Sequence, residues 1–465
     1  MEIEANWNLL RSAVHKTFEA LGRKSIEQAE AFYTCTVTTE ASIRNSEILT
    51  QNRRLDSGVG FRVMLSGNRV GFACTNAIKD ETVMEAGEEA LDIARVSSGI
   101  PNFALPESSK LPKVRGLYDS RVPETTVEEV LDTAQRSIAA AEDFDKRVIA
   151  KDGRVIFESG WASVLNTLGV DCEEQISRTI LYLGGNGEEN GEVTGSCYDI
   201  MFSRRADLDP EKIGESLGRK VVQLFKPERV KTFQGTVILG SEAVSTHIAQ
   251  VLVDALRGDN VAGGKSAWTG KIGDKVASER LTVSDNPLLE EGFASRSFDD
   301  EGCASQNTIL VRRGELSGYL HNATTSKALG EINTGNASRS TGGFNMVKMI
   351  IGDGYRALPI VYPSNLVVQP GEKTKEQLVS ETDKGVLVES MAGFPQTGSG
   401  MVSAQLSNAF MIEDGQIQYP IKGGMVSGVA FDWLGNLSGI GMDAKQFENM
   451  IVPSLRIEEV KVVGA

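Results

Sequence analysis

Ala409-Phe-Met-Ile-Glu-Asp414-Gly415-Gln-Ile-Gln-Tyr419 is the stretch whose reading decides the fold class. Apolar residues flank an Asp-Gly pair, which favours a tight hairpin turn, so the segment reads as two antiparallel strands. Thr308-Ile-Leu-Val-Arg-Arg-Gly314-Glu-Leu-Ser-Gly-Tyr-Leu320 repeats the pattern about Gly314. Around these hairpins Gly, Ser and Asn are dense, which predicts a β-rich second half with few helices. The helices expected there are Ser241–Arg257, Thr324–Leu329, Lys375–Glu381 and Ala444–Met450, after a strand over Thr236–Leu239.

Towards the N-terminus the period changes. Leu10, Ala13, Val14, Thr17, Phe18 and Leu21 fall on one helical face that Gly22 stops. Short strands are expected at Phe32–Thr39, Ser42–Thr50, Gly60–Leu65 and Val70–Thr75, then helices over Glu81–Val96 and Thr126–Asp143. Further strands are placed at Val148–Ala150, Ser163–Leu168, Arg178–Gly184 and Glu192–Phe202, before a helix from Pro210 to about Phe225. Lys226-Pro-Glu-Arg-Val-Lys231 is the best linker. The expected architecture is α+β in two domains: residues 1–225 with helices and an antiparallel sheet, and residues 226–465, β-rich with few helices.

The bulk numbers bound the function. A chain of 465 residues is too long for one ordinary core. The net charge of −15, from 48 basic and 63 acidic residues, repels phosphate backbones and anionic lipid, so nucleic acid and membrane are excluded as partners. The opening Met1-Glu2-Ile3-Glu4 has no basic region ahead of an apolar run, and no stretch nears the ~18 apolar residues of a membrane span. A cytoplasmic location follows as an expectation. The 5 cysteines are scattered with no C-x-x-C pair, which reads as buried free thiols and not as a disulfide framework or zinc knuckle.

The usual catalytic motifs fail. Gly258-Asp-Asn-Val-Ala-Gly-Gly264-Lys265-Ser266 ends like a phosphate-binding loop, but Asp259 stands where the first glycine belongs and a helix precedes it. There is no G-x-S-x-G and no G-x-G-x-x-G opening a helix after a strand. His15 lies off the apolar helical face and reads as a surface residue. His247 has no ligand partner at i+4, where Val251 sits, and His321 reads as a polar turn residue. Phe298-Asp-Asp-Glu-Gly302 brings three carboxylates together, the raw material for a hard cation or an acid/base pair, although neighbours along a strand point to opposite faces.

Several ordered blocks resemble the TldD/PmbA proteins, long labelled modulators of DNA gyrase and grouped with metallopeptidases. They are Gly270 through Asp285, Phe298-Asp-Asp-Glu-Gly302, the hairpin to Gly318-Tyr-Leu320, Thr334-Gly-Asn336, and Pro453 through Gly464, with looser likeness at Gly58–Val63, Arg69–Ala73 and Ala90–Arg95. The resemblance implies that TldD-type members carry His-Glu-x-x-x-His on the helix before a Gly-Asp pair and a cysteine near the C-terminus, which hold zinc. Counting back from Gly258-Asp259, those positions are Ala249, Gln250 and Asp254, and Leu437–Ala465 has no cysteine. The chain is therefore similar to the PmbA/TldE branch.

That likeness implies a non-catalytic subunit, with no cofactor of its own, whose TldD-type partner holds zinc and with it cleaves extended or unfolded peptides. A homodimeric peptide-binding scaffold is the alternative. A third reading is an independent metal-dependent hydrolase using Asp299, Asp300 and Glu301. Candidate substrate-cavity residues, polar and in or beside the best-matched blocks, are Asp300, Glu301, Tyr319, Asn322, Asn336 and Arg339.

Overall fold

The computed structural model describes residues 2–339 and 351–464. Helix α1 (Glu2–Gly22) leads into long strands β1 (Gln28–Arg44) and β2 (Glu47–Leu65), then β3 (Arg69–Thr75) and α2 (Asp80–Val96). After α3 (Val127–Phe144) come β4 (Val148–Asn166), β5 (Asp171–Glu189), β6 (Glu192–Val193), β7 (Cys197–Ser203) and α4 (Pro210–Val222). Helix α3 starts at a full capping box, in which Thr126 and Glu129 exchange side-chain bonds with each other's backbone N–H. The strands form one antiparallel sheet in the order β3-β2-β1-β4-β5-β6, with β7 also on β5.

Most of the expected short strands are pieces of these long ones. Ser42–Thr50, however, spans the turn at Asn45-Ser46, Ser163–Leu168 runs past the end of β4, and Glu192–Phe202 covers β6, a loop and β7, because turns between paired strands interrupt the local pattern. Gly58 and Gly60, which resemble turn signals, lie mid-strand because Tyr355 presses on them: a Cβ at Gly58 would sit 2.3 Å from the Tyr355 ring.

Residues 226–232 carry no helix or strand beyond a bridge from Glu228 to Ile421. Then follow β8 (Phe233–Leu239), α5 (Ser241–Ala243), a π-turn over Val244–Ile248, α6 (Ala249–Leu256) and α7 (Gly258–Ala262). Next come β9 (Val283–Asp285), β10 (Thr308–Arg312), β11 (Glu315–Leu316), α8 (Ala323–Leu329), β12 (Ala337–Ser338), β13 (Ile360–Val361), β14 (Leu366–Val368) and α9 (Lys375–Ser380). The chain finishes with β15 (Lys384–Ala392), β16 (Met401–Glu413), β17 (Gln416–Pro420), β18 (Met425–Val429), α10 (Ala430–Gly435), β19 (Leu437–Ile440), β20 (Lys445–Phe447), β21 (Met450–Val452) and β22 (Leu455–Val463).

Strands β8, β22, β18, β16 and β15 pair in that order, and β15 pairs back to β8, so this sheet closes on itself and leaves no edge among them. A second sheet runs β11-β10-β9-β14-β21-β20. The expected helix over Ala444–Met450 is not there. Its residues form the hairpin of β20 and β21, with Phe447 opposite Met450, and β21 adds in parallel to β14, so tertiary pairing overrides local propensity.

Helix α6 lies in the largest apolar cluster, with Ala249, Leu252, Val253 and Leu256 packed beside Val237, Leu310 and Val388. A second cluster takes Val130, Ile138 and Leu217 from the first half and Ile238, Leu387 and Phe410 from the second, which ties the halves through one core.

Candidate functional site

The two faces of the long sheet differ in chemistry. Val59, Phe61, Val63 and Tyr33 point to one face and pack beneath α1 and α2. Along β1 the alternate residues Thr34, Thr36, Thr38 and Glu40 point the other way, and all four are buried. Register continues this polar stripe across the sheet, from Arg54 to Thr38, Glu158 and Arg178.

The polar face meets the second half of the chain. Glu174 accepts from Ser297 N at 3.0 Å, Ile156 and Ile180 pack on Phe293, and Phe32 and Val164 pack with Phe298 and Tyr355. At one end Arg62 donates to Glu30 at 2.5 Å and to Glu301 at 2.9 Å, while Arg339 pairs with Glu30. All four side chains are essentially solvent-free, so each charge depends on its partners.

Of the six cavity candidates, Glu301 accepts from Arg62 and from Ala323 N, and burial raises its carboxyl. Asp300 accepts from Arg339 N at 2.6 Å and keeps about 25% side-chain exposure. Arg339 also donates to the carbonyls of Asp300 and Ala357 and lies 4.9 Å from the Phe32 ring centre. Asn336 is wholly buried and donates to Asp285 at 2.6 Å. Tyr319 donates to the Trp268 carbonyl, and Asn322 caps α8.

Asp299 accepts three backbone N–H bonds, from Glu301, Cys303 and Ala337. The oxygens of the Asp299-Asp300-Glu301 trio are thus held by internal donors.

His15 and His321 depart from expectation. His15 is half-buried with Nε2 enclosed, and His321 is 2% exposed, its ring edge-on to Tyr319, where burial lowers it to about 4.

On α6, Ala249 is fully buried. Gln250 lies 3.7 Å from the Met450 sulfur. Asp254 accepts from Thr397 and pairs with Arg257 at 3.6 Å, and Arg257 in turn clasps Asp259. At ~100° per residue, positions 249 and 254 stand about 140° apart on an α-helix. Among the described residues no three His, Cys, Asp or Glu side chains converge to hold a metal ion. A methyl, an amide and a lone carboxylate engaged by Thr397 and Arg257 do not fit a divalent cation.

An α+β frame with a buried helix ahead of Gly258-Asp259 agrees with the resemblance read in the sequence. The chain belongs to the PmbA/TldA metallopeptidase family: residues 232–464 match its C-terminal domain, 121–225 its central domain and 29–94 its domain 1. It is 30% identical to a metalloprotease of Methanothermobacter thermautotrophicus over 86% of each chain. It is 25% identical to the metalloprotease PmbA of Escherichia coli O157:H7, over 100% of this chain and 98% of that one. In structure it resembles TldE from Thermococcus kodakarensis with a TM-score of 0.87, covering 97% of this chain and 100% of that one at 24% identity, a likeness of fold. No helix among the described residues is long and apolar enough to cross a membrane.

The polar stripe was missed at the sequence level. Its signal is there in Thr34-Cys-Thr36-Val-Thr38, where polar residues alternate with apolar ones, but nothing in the sequence tells which face is enclosed.

Proposed function

We propose that this chain is a PmbA/TldE-like, non-catalytic subunit of a cytoplasmic zinc metalloprotease complex that acts on unfolded or extended peptides. The observation that carries the reading is the composition of α6, which offers a methyl, an amide and a paired carboxylate where metal ligands are required. A TldD-type partner supplies the metal. This chain supplies cavity wall, with the frame around Asp300, Glu301, Tyr319, Asn322, Asn336 and Arg339 fixing its shape. Main-chain pairing with an extended peptide suits such a cavity, because it reads shape without demanding sequence.

The test is hydrolysis of an unfolded protein substrate by the purified chain, by a TldD-type partner from the same cell, and by the mixture. The chain alone is expected to be inert and the mixture to exceed the partner alone. Hydrolysis by the isolated chain that survives repurification would overturn the reading. Failure of any TldD-type chain to co-purify or to be stimulated would favour the homodimeric scaffold.

A further inference from the structure

Arg178 is a cation whose charge is favoured by Glu158, Glu448 and Asp300 without any of them closing on it as an ion pair. It stands on the polar face of β5, directly across from Glu158 in register, yet it forms no ion pair and no hydrogen bond among the described residues. Its Nε is closed off from solvent with no partner, and its guanidinium carbon lies 5.2 Å from the Phe293 ring centre. Arg296, close enough to repel it, also has an enclosed Nε without a partner, and its one carboxylate contact, to Asp300, is a long 3.4 Å. Guanidinium donors in enclosed positions are ordinarily satisfied, so two enclosed Nε donors without partners mark a place for acceptors.

The group facing them is equally unusual. Glu448 lies within electrostatic reach of Arg178 but makes no ion pair with it. It occupies the turn between β20 and β21 with φ of +54°, a left-handed conformation that a glutamate adopts at a cost. Burial raises its carboxyl, which weakens it as a counterion. Two residues on, Met450 touches Gln250 of α6. Arg178 of the sheet and Glu448 of the turn are therefore within electrostatic reach of each other, and the strand after that turn touches the helix on which the proposed function rests.

We propose that Arg178, backed by Arg296, is an anchor for a ligand carboxylate, that of an extended peptide's C-terminus or of an acidic side chain, with Glu448 receiving N–H donors of the same peptide. A planar guanidinium whose Nε donor is unclaimed matches a carboxylate in geometry and charge. This deepens the reading given above, since it names what the cavity wall holds.

The experiment measures binding of a six-residue alanine–valine peptide, labelled with fluorescein at its N-terminus, to the purified chain by anisotropy. The peptide is offered as free acid, as C-terminal amide, and as an amide carrying one internal glutamate. The free acid is expected to bind at least ~10-fold more tightly than the plain amide, the margin of a charge-assisted bond. Arg178→Met abolishes that preference while leaving amide binding unchanged, and Glu448→Gln keeps the preference but weakens both peptides. An internal-glutamate amide that binds like the free acid assigns the anchor to side-chain carboxylates. Equal binding of all three peptides overturns the anchor and leaves the peptide-cavity reading standing. Binding of none, alone or with the TldD-type partner, overturns both. Thermal unfolding of Arg178→Met supplies a second readout. With no pair to lose, its midpoint should hold or rise, whereas a fall of several degrees would make Arg178 a frame residue and refute the proposal.

Discussion

Helix α6 and the polar face of the long sheet are opposites of what their positions call for. In this family resemblance the helix is where metal chemistry belongs, yet it is packed with Ala249, Leu252, Val253 and Leu256 in the largest apolar cluster. A sheet face buried against another layer is normally apolar, yet this one carries Thr34, Thr36, Thr38, Glu40, Glu158 and Arg178. Burial is common to both regions, so burial alone says nothing about role. The difference is in the polar groups each region carries: the helix has few, Gln250 and the engaged Asp254 among them, and the sheet face is lined with them.

The comparison breaks most visibly at the ionic end of the polar face. Arg62→Met leaves Glu301 without its guanidinium and Glu30 with only Arg339, and should cost about 3–5 kcal/mol, the range for stripping one partner from a buried ion network. A shifted urea midpoint with unchanged slope would register it. Loss below 1 kcal/mol would mean that the network is more open to water than its geometry indicates.

On the helix the expected effect is smaller and of different origin. Ala249→His inserts an imidazole where a fully buried methyl sits, and overpacking should cost about 1–3 kcal/mol. Thermal unfolding with and without added zinc checks it. A stable variant that zinc stabilises further would show that the position still faces a usable site.

Much of the fold was legible because long apolar periodicities survive any context: α2 and α3 lie within a residue or so of their expected bounds. What was not legible depends on contacts distant in sequence. Asn45 and Ser46, inside the expected strand Ser42–Thr50, form the turn between β1 and β2, and the strands on either side run far longer than local signals suggest because each is held by a neighbour along its length. Lys445–Phe447 became a strand because β21 had a partner in β14. The blank helix could be read directly from Ala249, Gln250 and Asp254. Arg178 could not, since its meaning lies in what fails to touch it.

Two finer tests follow. Thr36 Oγ1 is enclosed with no partner among the described residues, so Thr36→Val should be neutral or stabilise by up to ~1 kcal/mol, and a clear loss in chemical denaturation would reveal an unseen partner for the hydroxyl. Glu242, set among Tyr198, Lys220, Glu389 and Asp199, has its carboxyl pushed up by burial from an ordinary 4.5 to about 8. The folded state therefore holds this proton more tightly than the unfolded chain does. Its contribution to stability is whole below about 4.5 and is lost as pH rises through about 8. Glu242→Gln should flatten that decline in a pH series of unfolding midpoints, and an unchanged slope would place the titration elsewhere.

The most direct test of the account is the metal content of the chain purified away from any partner after growth with zinc. Mass spectrometry of the dissolved protein should find well under one zinc per chain, removed by a mild chelator wash. One tightly held zinc per chain, bound by this polypeptide's own side chains and resistant to that wash, would contradict the reading of α6 as a helix that holds no metal.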